Sequence, residues 1–305
     1  MKKVLVIYYS QTGQLKKIIE NILTEIKEKI EIDYCEIIPQ KPFPFPWTAN
    51  VFFDAMPESV QLIPESILPM DIPNKDYDLV ILGYQPWFLS PSIPINSFLQ
   101  SEQAKFLENQ KVLTIIGSRN MWLNAQEKVK ESLQKLKATL VGNIVFYDNN
   151  PNLISVLTVI RWTFKGQKEK STFLPEAGVQ QKDIEKGARF GEPILNCLEL
   201  NDFQNLQQNL LKLNAVDLKP GLIILEKRGI NNFRKFSKFI LAKGKRGDPN
   251  RLSRVKLFQR LLLIGVFILS PISNLTAYIQ SVINNKSLKA KVNYFKSINY
   301  HKNEI

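Results

Sequence analysis

The sequence predicts an α/β fold, built as a doubly wound sheet of five parallel strands. Short apolar runs rich in β-branched and aromatic residues, typical of buried strands, occur at residues 4–9, 77–84, 111–117 and 140–147. Residues 31–38 alternate loosely between apolar and polar side chains and predict the second strand. Stretches with helical periodicity separate most of these runs, at residues 15–30, 95–109 and 122–138. Strands that alternate with helices form parallel sheets, which bind ligands beyond the carboxyl ends of their strands.

The loop after the first strand predicts an anion site. Its candidate ligand-binding residues are Ser10, Gln11, Thr12, Gly13 and Gln14. The N–H groups at the start of a helix have no intrahelical partners and carry partial positive charge. Ser10 and Thr12 add hydroxyl donors, and Gly13 lets the backbone approach a phosphate closely. The alternative is an ordinary loop in which Ser10 caps the helix.

This loop resembles the phosphate loop of flavodoxins, whose pattern is Ser/Thr-x-Thr-Gly-x-Thr. Ser10, Thr12 and Gly13 match, whereas Leu15 stands in place of the last Thr, so one hydroxyl donor to the FMN phosphate is missing. The nucleotide pattern GxxxxGK[ST] and the dinucleotide pattern GxGxxG are both absent from this loop. The resemblance implies a flavodoxin-like fold with FMN as the cofactor.

In flavodoxin-like proteins, the loops after the third and fourth strands flank the isoalloxazine ring. The corresponding residues of this chain are Gln85, Pro86, Trp87, Phe88, Gly117, Ser118, Arg119, Asn120 and Trp122. A flat apolar ring needs aromatic stacking partners such as Tyr84 and Trp87. Its N1–C2=O edge collects negative charge on reduction, so it needs donors such as Arg119 or backbone N–H groups of the third loop. The alternatives are core packing for Trp87 and Trp122 and a surface ion pair for Arg119.

Residues 39–73 form an insert between the second and third strands that contains eight prolines and several aromatic residues. So many prolines exclude a regular helix or a central strand. Long loops in compact domains are usually functional, so we expect a stiff wall or lid that lines an apolar substrate pocket. The alternative is a packed cover over the sheet edge. Asp54 and Glu58 are candidate proton acceptors in this insert, with solvated helix caps as the alternative role.

We divide the chain into three parts: an FMN-binding domain at residues 1–150, an α/β or helical extension packed on it at 151–226, and a basic membrane-associating tail at 227–305. In the extension, residues 153–164 are helical or extended, residues 190–213 are helical, and residues 221–226 are a candidate last strand. Cys35 and Cys197 lie far apart and form no metal-binding or redox pair, which indicates a reducing compartment. No signal peptide is expected, because the first residues already form a strand.

The positive charge is concentrated in the carboxyl-terminal half. The net charge is +13, but residues 227–260 alone hold 12 basic residues and one acid, Asp248. A segment of this kind faces an anionic partner. No recognised nucleic-acid-binding motif accompanies it, which argues against nucleic acid.

Residues 261–285 follow this basic segment and carry no charge. At ~1.5 Å per residue they could cross a bilayer core of ~30 Å, but Ser270-Pro271 and Ser273-Asn274 interrupt the middle. We therefore expect a helix pair that dips into one leaflet, with a spanning segment and a soluble helix pair as alternatives. The predicted partner is an anionic membrane surface that binds residues 227–285, on the inner face of the cytoplasmic membrane.

The chain resembles the dialkylresorcinol-condensing enzyme family, whose members take part in the synthesis of resorcinols and flexirubin-type pigments. The matching segments are VIYYSQTGQL, PFPFPW, FFDAMPES, GYQPWFLSPSIP and GSRNMW. The resemblance implies an FMN-dependent oxidoreductase, an aromatase that dehydrogenates a dialkylcyclohexane-1,3-dione after a partner ketosynthase has made it. Tyr84, Asp54 and Glu58 are the candidate bases. The alternatives are an electron-transfer flavodoxin and a flavin-free scaffold that tethers the ketosynthase at the membrane.

Overall fold

The computed structural model describes residues 1–73, 76–283, 285–302 and 304–305. Residue 284, which belongs to the predicted membrane-associating segment, lies outside the described residues. Five parallel strands form the central sheet in the order β2-β1-β3-β6-β7. Their bounds are β1 Lys2–Tyr8, β2 Ile30–Glu36, β3 Leu79–Tyr84, β6 Lys111–Ser118 and β7 Thr139–Tyr147. A short antiparallel hairpin, β4 Pro86–Trp87 with β5 Ser90–Pro91, follows the third strand of the sheet.

This strand order confirms the predicted flavodoxin-like α/β fold. Strand β1 pairs with β2 on one side and with β3 on the other, so the order reverses at β1. All five strands are parallel, which brings their carboxyl ends to one edge of the sheet. The carboxyl end of β1 therefore lies at the switch point, where doubly wound sheets bind ligands.

Helices cover both faces of the sheet. In chain order they are α1 Gln14–Leu23, α2 Ala49–Asp54, α3 Met56–Val60, α4 Ile93–Leu99, α5 Leu123–Lys135, α6 Asn152–Lys165, α7 Gln181–Glu185, α8 Gly191–Leu200, α9 Leu206–Lys212, α10 Pro220–Leu241, α11 Leu252–Ile264, α12 Ser270–Ile283 and α13 Asn285–Lys296. Helix α1 packs under Gly83, whereas α5 lies on the side of Tyr84. Neighbouring strand residues point to opposite faces, so these two helices cover opposite faces of the sheet.

The structure corrects two of the sequence-based assignments. Residues 221–226 are not a last strand but belong to α10, and the whole extension is helical wherever it is regular. A hydrophobic run of six residues is equally compatible with a buried strand and with part of a helix. The insert contains two short helices, α2 and α3, although its prolines predicted none. Pro57 lies in the first turn of α3, where its missing N–H costs no hydrogen bond.

The carboxyl-terminal part is a series of helices wrapped on the body of the protein. Helix α10 packs on α3 and α12, and α11 packs on α2. A π-helical turn at Gly265–Leu269 joins α11 to α12. Among the helices of the described residues, none is both long enough and apolar enough to cross a bilayer.

Glu226 is a fully buried carboxyl group that connects α10 to the start of α5. Its Oε1 accepts a hydrogen bond of 2.7 Å from the N–H of Asn124, while its Oε2 has no partner. Burial raises the pKa of Glu226 to about 8, and the N–H groups of residues 122–124 oppose the shift only partly. The folded protein therefore holds a proton that the unfolded chain releases near its ordinary pKa of 4.5.

We expect this proton to make stability depend on pH. Between pH 4.5 and about 8, only the folded state keeps the proton, so the free energy of unfolding falls as the pH rises through this window. Glu226→Gln removes the titrating group. The free energy of unfolding of this variant should therefore fall by several kcal/mol less across the window than that of the original protein, since one pKa unit is worth about 1.4 kcal/mol. Urea unfolding of both proteins from pH 5 to about 9 measures the difference. Parallel curves for the two proteins would contradict a buried, protonated Glu226.

Candidate functional site

A cavity of about 240 Å³ lies at the carboxyl ends of β1, β3 and β6. The three loops singled out from the sequence meet there. Eleven of the fourteen predicted cofactor-binding residues line it: Ser10, Gln11, Thr12, Gln14, Gln85, Pro86, Trp87, Phe88, Gly117, Ser118 and Arg119. The remaining three, Gly13, Asn120 and Trp122, are not among the lining residues. The site therefore combines a polar loop with an apolar wall at the predicted edge of the sheet.

The first loop presents polar groups that the protein itself leaves unsatisfied. Helix α1 begins at Gln14, so the N–H groups around the loop have no helical partner. Gly13 has a φ of +77°, the left-handed conformation that glycine adopts without strain. The Ser10 hydroxyl is buried without a hydrogen-bond partner, as is that of Ser118 in the third loop. Buried hydroxyls normally have partners, so these two groups suit a polar ligand.

Two glutamines of the first loop already have protein partners. The Gln14 amide donates to the carbonyl of Val179 at 3.0 Å and accepts from its N–H at 3.1 Å. Gln11 donates to the carbonyl of Phe43 at 3.2 Å. Gln14 therefore ties the loop to the helical extension, and Gln11 ties it to the insert.

Aromatic side chains form the apolar wall of the cavity. The lining aromatic residues are Phe45, Trp47, Phe52, Trp87, Phe88 and Trp162. Trp87 is fixed edge-to-face against Phe43 and Trp47, at centroid distances of 4.9 and 5.3 Å. Phe45, Trp47 and Phe52 come from the insert, so three of its side chains line the cavity, and its role as the wall of a substrate pocket stays a prediction. Such a wall provides rigid stacking faces for a flat ligand.

Arg119 brings a half-buried positive charge to the same cavity. Its Nη1 donates to the side-chain oxygen of Asn152 at 2.8 Å. Burial lowers the pKa of Arg119 to about 10, opposed by the charge of Asp148, so the guanidinium remains protonated at neutral pH. The alternative of a surface ion pair is not found, because Asn152 is a neutral partner. This cation can stabilise negative charge that a ligand carries or develops.

The helical extension completes the cavity, which the sequence did not predict. Val159, Trp162 and Thr163 of α6 line it, together with Gly178. A backbone hydrogen bond of 2.8 Å from Trp47 N–H to the Thr163 carbonyl joins α6 to the insert. The sequence of residues 153–164 is compatible with a helix and with a strand. A helical assignment would have placed Val159, Trp162 and Thr163 on one face, since they are three and four residues apart.

The candidate base Tyr84 does not reach the cavity. Its side chain is fully buried, and its hydroxyl donates to Gln126 Oε1 at 2.5 Å. Burial raises its pKa well above the ordinary value, with the charges of Glu127 and Glu226 adding to the shift. Trp122 also lies in the hydrophobic core, which is the alternative that the sequence analysis gave for it. Tyr84 packs on the face of the sheet covered by α5, which directs its ring away from the loops.

Asp54 and Glu58 are also directed away from the cavity, which corrects their proposed role as bases. Both accept hydrogen bonds from Arg251, which is 0% exposed, at 2.6 Å to Asp54 Oδ1 and 2.7 Å to Glu58 Oε1. Glu65 of the same insert forms a pair with Arg246. Part of the basic segment therefore neutralises carboxylates of the insert. The sequence singled out both groups of residues but offered no signal that they pair.

The described residues that line the cavity include no Asp, Glu or His. Among the described residues, no group of three His, Cys, Asp or Glu side chains is arranged to hold a metal ion. The chemistry available in the cavity is therefore hydrogen bonding, cationic stabilisation by Arg119 and aromatic stacking.

Two glycines with the same φ of +77° allow the packing of the cavity wall to be tested. A Cβ on Gly178 would lie 2.7 Å from both Gln14 Oε1 and Trp162 Cζ3, whereas a Cβ on Gly13 would have no atom within 4 Å. Gly13→Ala should cost about 1 kcal/mol of unfolding free energy for the strained backbone. Gly178→Ala should cost about 2–4 kcal/mol because overpacking adds to the same strain. Equal losses in urea unfolding would show that the wall is not closely packed there.

Comparison with known proteins gives distant structural similarities. No family model and no curated protein matches the chain. A flavoprotein in complex with FMN from Lactobacillus acidophilus is 24% identical, over 48% of this chain and 93% of that one, with a TM-score of 0.39. A flavodoxin, WrbA-like protein from Agrobacterium tumefaciens is 11% identical, over 66% of this chain and 99% of that one, with a TM-score of 0.36. These similarities are too distant to assign an activity, and the flavodoxin-like fold rests on the strand order itself.

Proposed function

We propose that the cavity binds FMN and that the protein uses it to oxidise an apolar substrate. The observation that carries this proposal is the convergence of the three strand-end loops, with two unsatisfied buried hydroxyls, Ser10 and Ser118, on an aromatic cavity. The phosphate would bind the N–H groups and hydroxyls of residues 10–14. Leu15 packs in the hydrophobic core and lines the cavity, so it supplies no hydroxyl donor there.

The ring system would lie against Trp87 and the third loop, with Arg119 near its N1–C2=O edge. When bound, FMN supplies a two-electron acceptor. The protein would contribute three things: the Arg119 charge that favours reduction, aromatic side chains that exclude water, and a rigid wall that orients the substrate. Asn152 holds the guanidinium in position and is therefore a positioning residue.

We further propose that the substrate is a dialkylcyclohexane-1,3-dione, the product of a partner ketosynthase, and that the product is a dialkylresorcinol. The reaction removes two hydrogens, one as a proton and the other as a hydride, and a bound FMN would supply the acceptor for the hydride. A C–H flanked by two carbonyl groups is already acidic, so water can accept the proton, and a cavity without carboxylate or imidazole suffices. The aromatic wall suits the long apolar arms of such a substrate.

The experiment is an anaerobic reaction of the FMN-loaded protein with a 2,5-dialkylcyclohexane-1,3-dione. We expect loss of the visible absorbance of oxidised flavin and one resorcinol formed for each flavin reduced. Arg119→Met should slow the reduction by roughly ten- to a hundredfold, because a charge aimed at the reduced ring is lost. Arg189→Met is the matched control, since Arg189 lies outside the cavity. Bound flavin that the dione never reduces would favour an electron-transfer protein, and absence of flavin binding would favour a scaffold.

A further inference from the structure

The outer face of the carboxyl-terminal helices carries a continuous row of exposed apolar side chains. This apolar stripe consists of Leu257, Leu261, Ile264, Ile268, Ile272, Leu275, Ile279 and Val282. Successive members are three or four residues apart, so they follow one side of the helical path through α11, the π-helical turn and α12. Ile268 is 63% exposed and Leu275 is 60% exposed. A contiguous exposed apolar surface of this kind marks an interaction site.

The opposite side of these helices is fixed to the protein. Val255 and Phe258 of α11 are buried in a cluster with residues of α2, α3 and α10. Arg228 of α10 donates hydrogen bonds of 3.0 Å to Thr276 Oγ1 and to Gln280 Oε1 of α12. The helices therefore lie along the body of the protein, and the apolar stripe is on their exposed side.

The charges around the apolar stripe are all positive. No acidic residue occurs between Asp248 and Glu304. Lys256 and Arg260 precede the uncharged part of the stripe, and Lys286 follows it. Within the described residues none of these three forms a salt bridge, whereas Arg246 and Arg251 of the same basic segment do. The unpaired cations at both ends are therefore available to an external partner.

We propose that the apolar stripe docks the protein on one leaflet of an anionic phospholipid membrane, without crossing it. Hydrocarbon chains would cover the apolar side chains, and lipid phosphates would meet the flanking lysines and arginines. Phe267 and Tyr278 are exposed beside the stripe, and aromatic residues are favoured at the membrane–water interface. A second copy of the chain fits less well, because it would bring positively charged ends against each other.

The same helices connect the membrane-facing surface with the cavity. Phe258, on the buried side of α11, lies 5.7 Å from Phe233, and Phe233 lies 6.2 Å from Phe88, which lines the cavity. A row of aromatic rings thus leads from the docking helix to the cavity wall. This step rests on the proposed function: docking would hold the cavity wall close to a bilayer in which the alkyl arms of the dione dissolve.

Co-sedimentation with vesicles tests the docking surface. We expect the full chain to pellet with vesicles that contain phosphatidylglycerol and to bind pure phosphatidylcholine vesicles much more weakly. Lys256→Gln with Arg260→Gln should weaken binding to the anionic vesicles by about thirtyfold, the loss expected for two basic residues near a charged surface. Lys27→Gln with Lys29→Gln is the matched control, because these exposed lysines lie far from the apolar stripe in sequence and should leave binding unchanged.

A second pair of variants tests the apolar part. The double variant Leu275→Glu with Ile279→Glu should reduce vesicle binding at least tenfold. The control double variant is Phe173→Glu with Leu200→Glu. These two residues are 92% and 77% exposed and lie outside the apolar stripe, so their replacement should not reduce vesicle binding. Circular dichroism and urea unfolding identify any variant that fails to fold. Equal binding by both pairs overturns the proposal. The proposal is also overturned if the wild-type chain binds no vesicles and instead forms an oligomer, and if the Leu275→Glu and Ile279→Glu double variant dissociates that oligomer. Vesicle binding requires no flavin, so failure of the proposed FMN chemistry would leave this result unaffected.

Discussion

Replacing Arg251 by methionine should lower the free energy of unfolding by about 3–5 kcal/mol, because removal of one partner of a buried ion pair leaves the other uncompensated. Arg251 lies between Asp54 and Glu58, and all five of its N–H donors have acceptors: Asp54 Oδ1, both carboxylate oxygens of Glu58, and the carbonyls of Asp54 and Gly244. The variant keeps the volume of the side chain but leaves two carboxylates facing an apolar group. Urea unfolding at pH 7 measures the loss.

Two further variants isolate the charge effect at this site. Lys256→Met is the control, since Lys256 is exposed and unpaired, and it should change stability by less than about 0.5 kcal/mol. Adding Asp54→Asn and Glu58→Gln to Arg251→Met should recover part of the loss, because no buried charge then lacks a partner. A loss of less than about 1 kcal/mol for Arg251→Met alone would show that the pairing of Arg251 with Asp54 and Glu58 contributes little to stability.

Thr12→Glu should weaken FMN binding roughly a hundredfold, since a carboxylate placed beside a phosphate costs about 3 kcal/mol. Thr12 lies in the loop before α1, where the phosphate would bind. Riboflavin, which lacks the phosphate, should bind both proteins with similar affinity. The ratio of FMN to riboflavin affinity, measured by fluorescence titration, therefore reports the phosphate contact separately from any effect on the ring site.

The matched control for this prediction lies at the other end of the same helix. Thr24 follows α1 and is exposed, so Thr24→Glu adds the same charge far from the loop. It should leave both affinities within about threefold of the original values, since exposed charges are screened beyond a Debye length of ~10 Å. Equal weakening of FMN and riboflavin by Thr12→Glu would place the effect on the ring or on folding, and would remove the loop from the phosphate site.

Most of the sheet could be predicted because β1, β3, β6 and β7 are largely buried and therefore form apolar runs, whereas the edge strand β2 only alternates. The strand order β2-β1-β3-β6-β7 then brings the ends of β1, β3 and β6 together, which is why three separate loops could be assigned to one site. Trp87 and Arg119 were identified in this way because short loops at strand ends have few possible positions. Trp122 follows the end of β6, as Arg119 does, but its side chain lies in the core, and packing decides this orientation.

The parts that could not be predicted depend on contacts between distant segments. Asp54 and Glu58 resembled candidate bases because nothing near them in sequence neutralises them; Arg251 does so from almost 200 residues away. Trp162 lines the cavity because α6 folds back over the insert, and the run that contains it has no decisive periodicity. Glu226 was predicted in a strand, yet it is a buried carboxyl group of α10 that accepts a hydrogen bond from the start of α5. Long-range pairing of this kind is not encoded in local patterns.

A titration of the purified protein with FMN, followed by tryptophan and flavin fluorescence, tests the central claim most directly. Trp47, Trp87 and Trp162 line the cavity, so a flavin bound there should quench their emission and lose its own fluorescence in parallel. We predict saturation at one FMN for each chain, with tighter binding of FMN than of riboflavin. Unchanged tryptophan emission with excess FMN, or equal affinity for FMN and riboflavin, would contradict a flavin site built on the loop from Ser10 to Gln14.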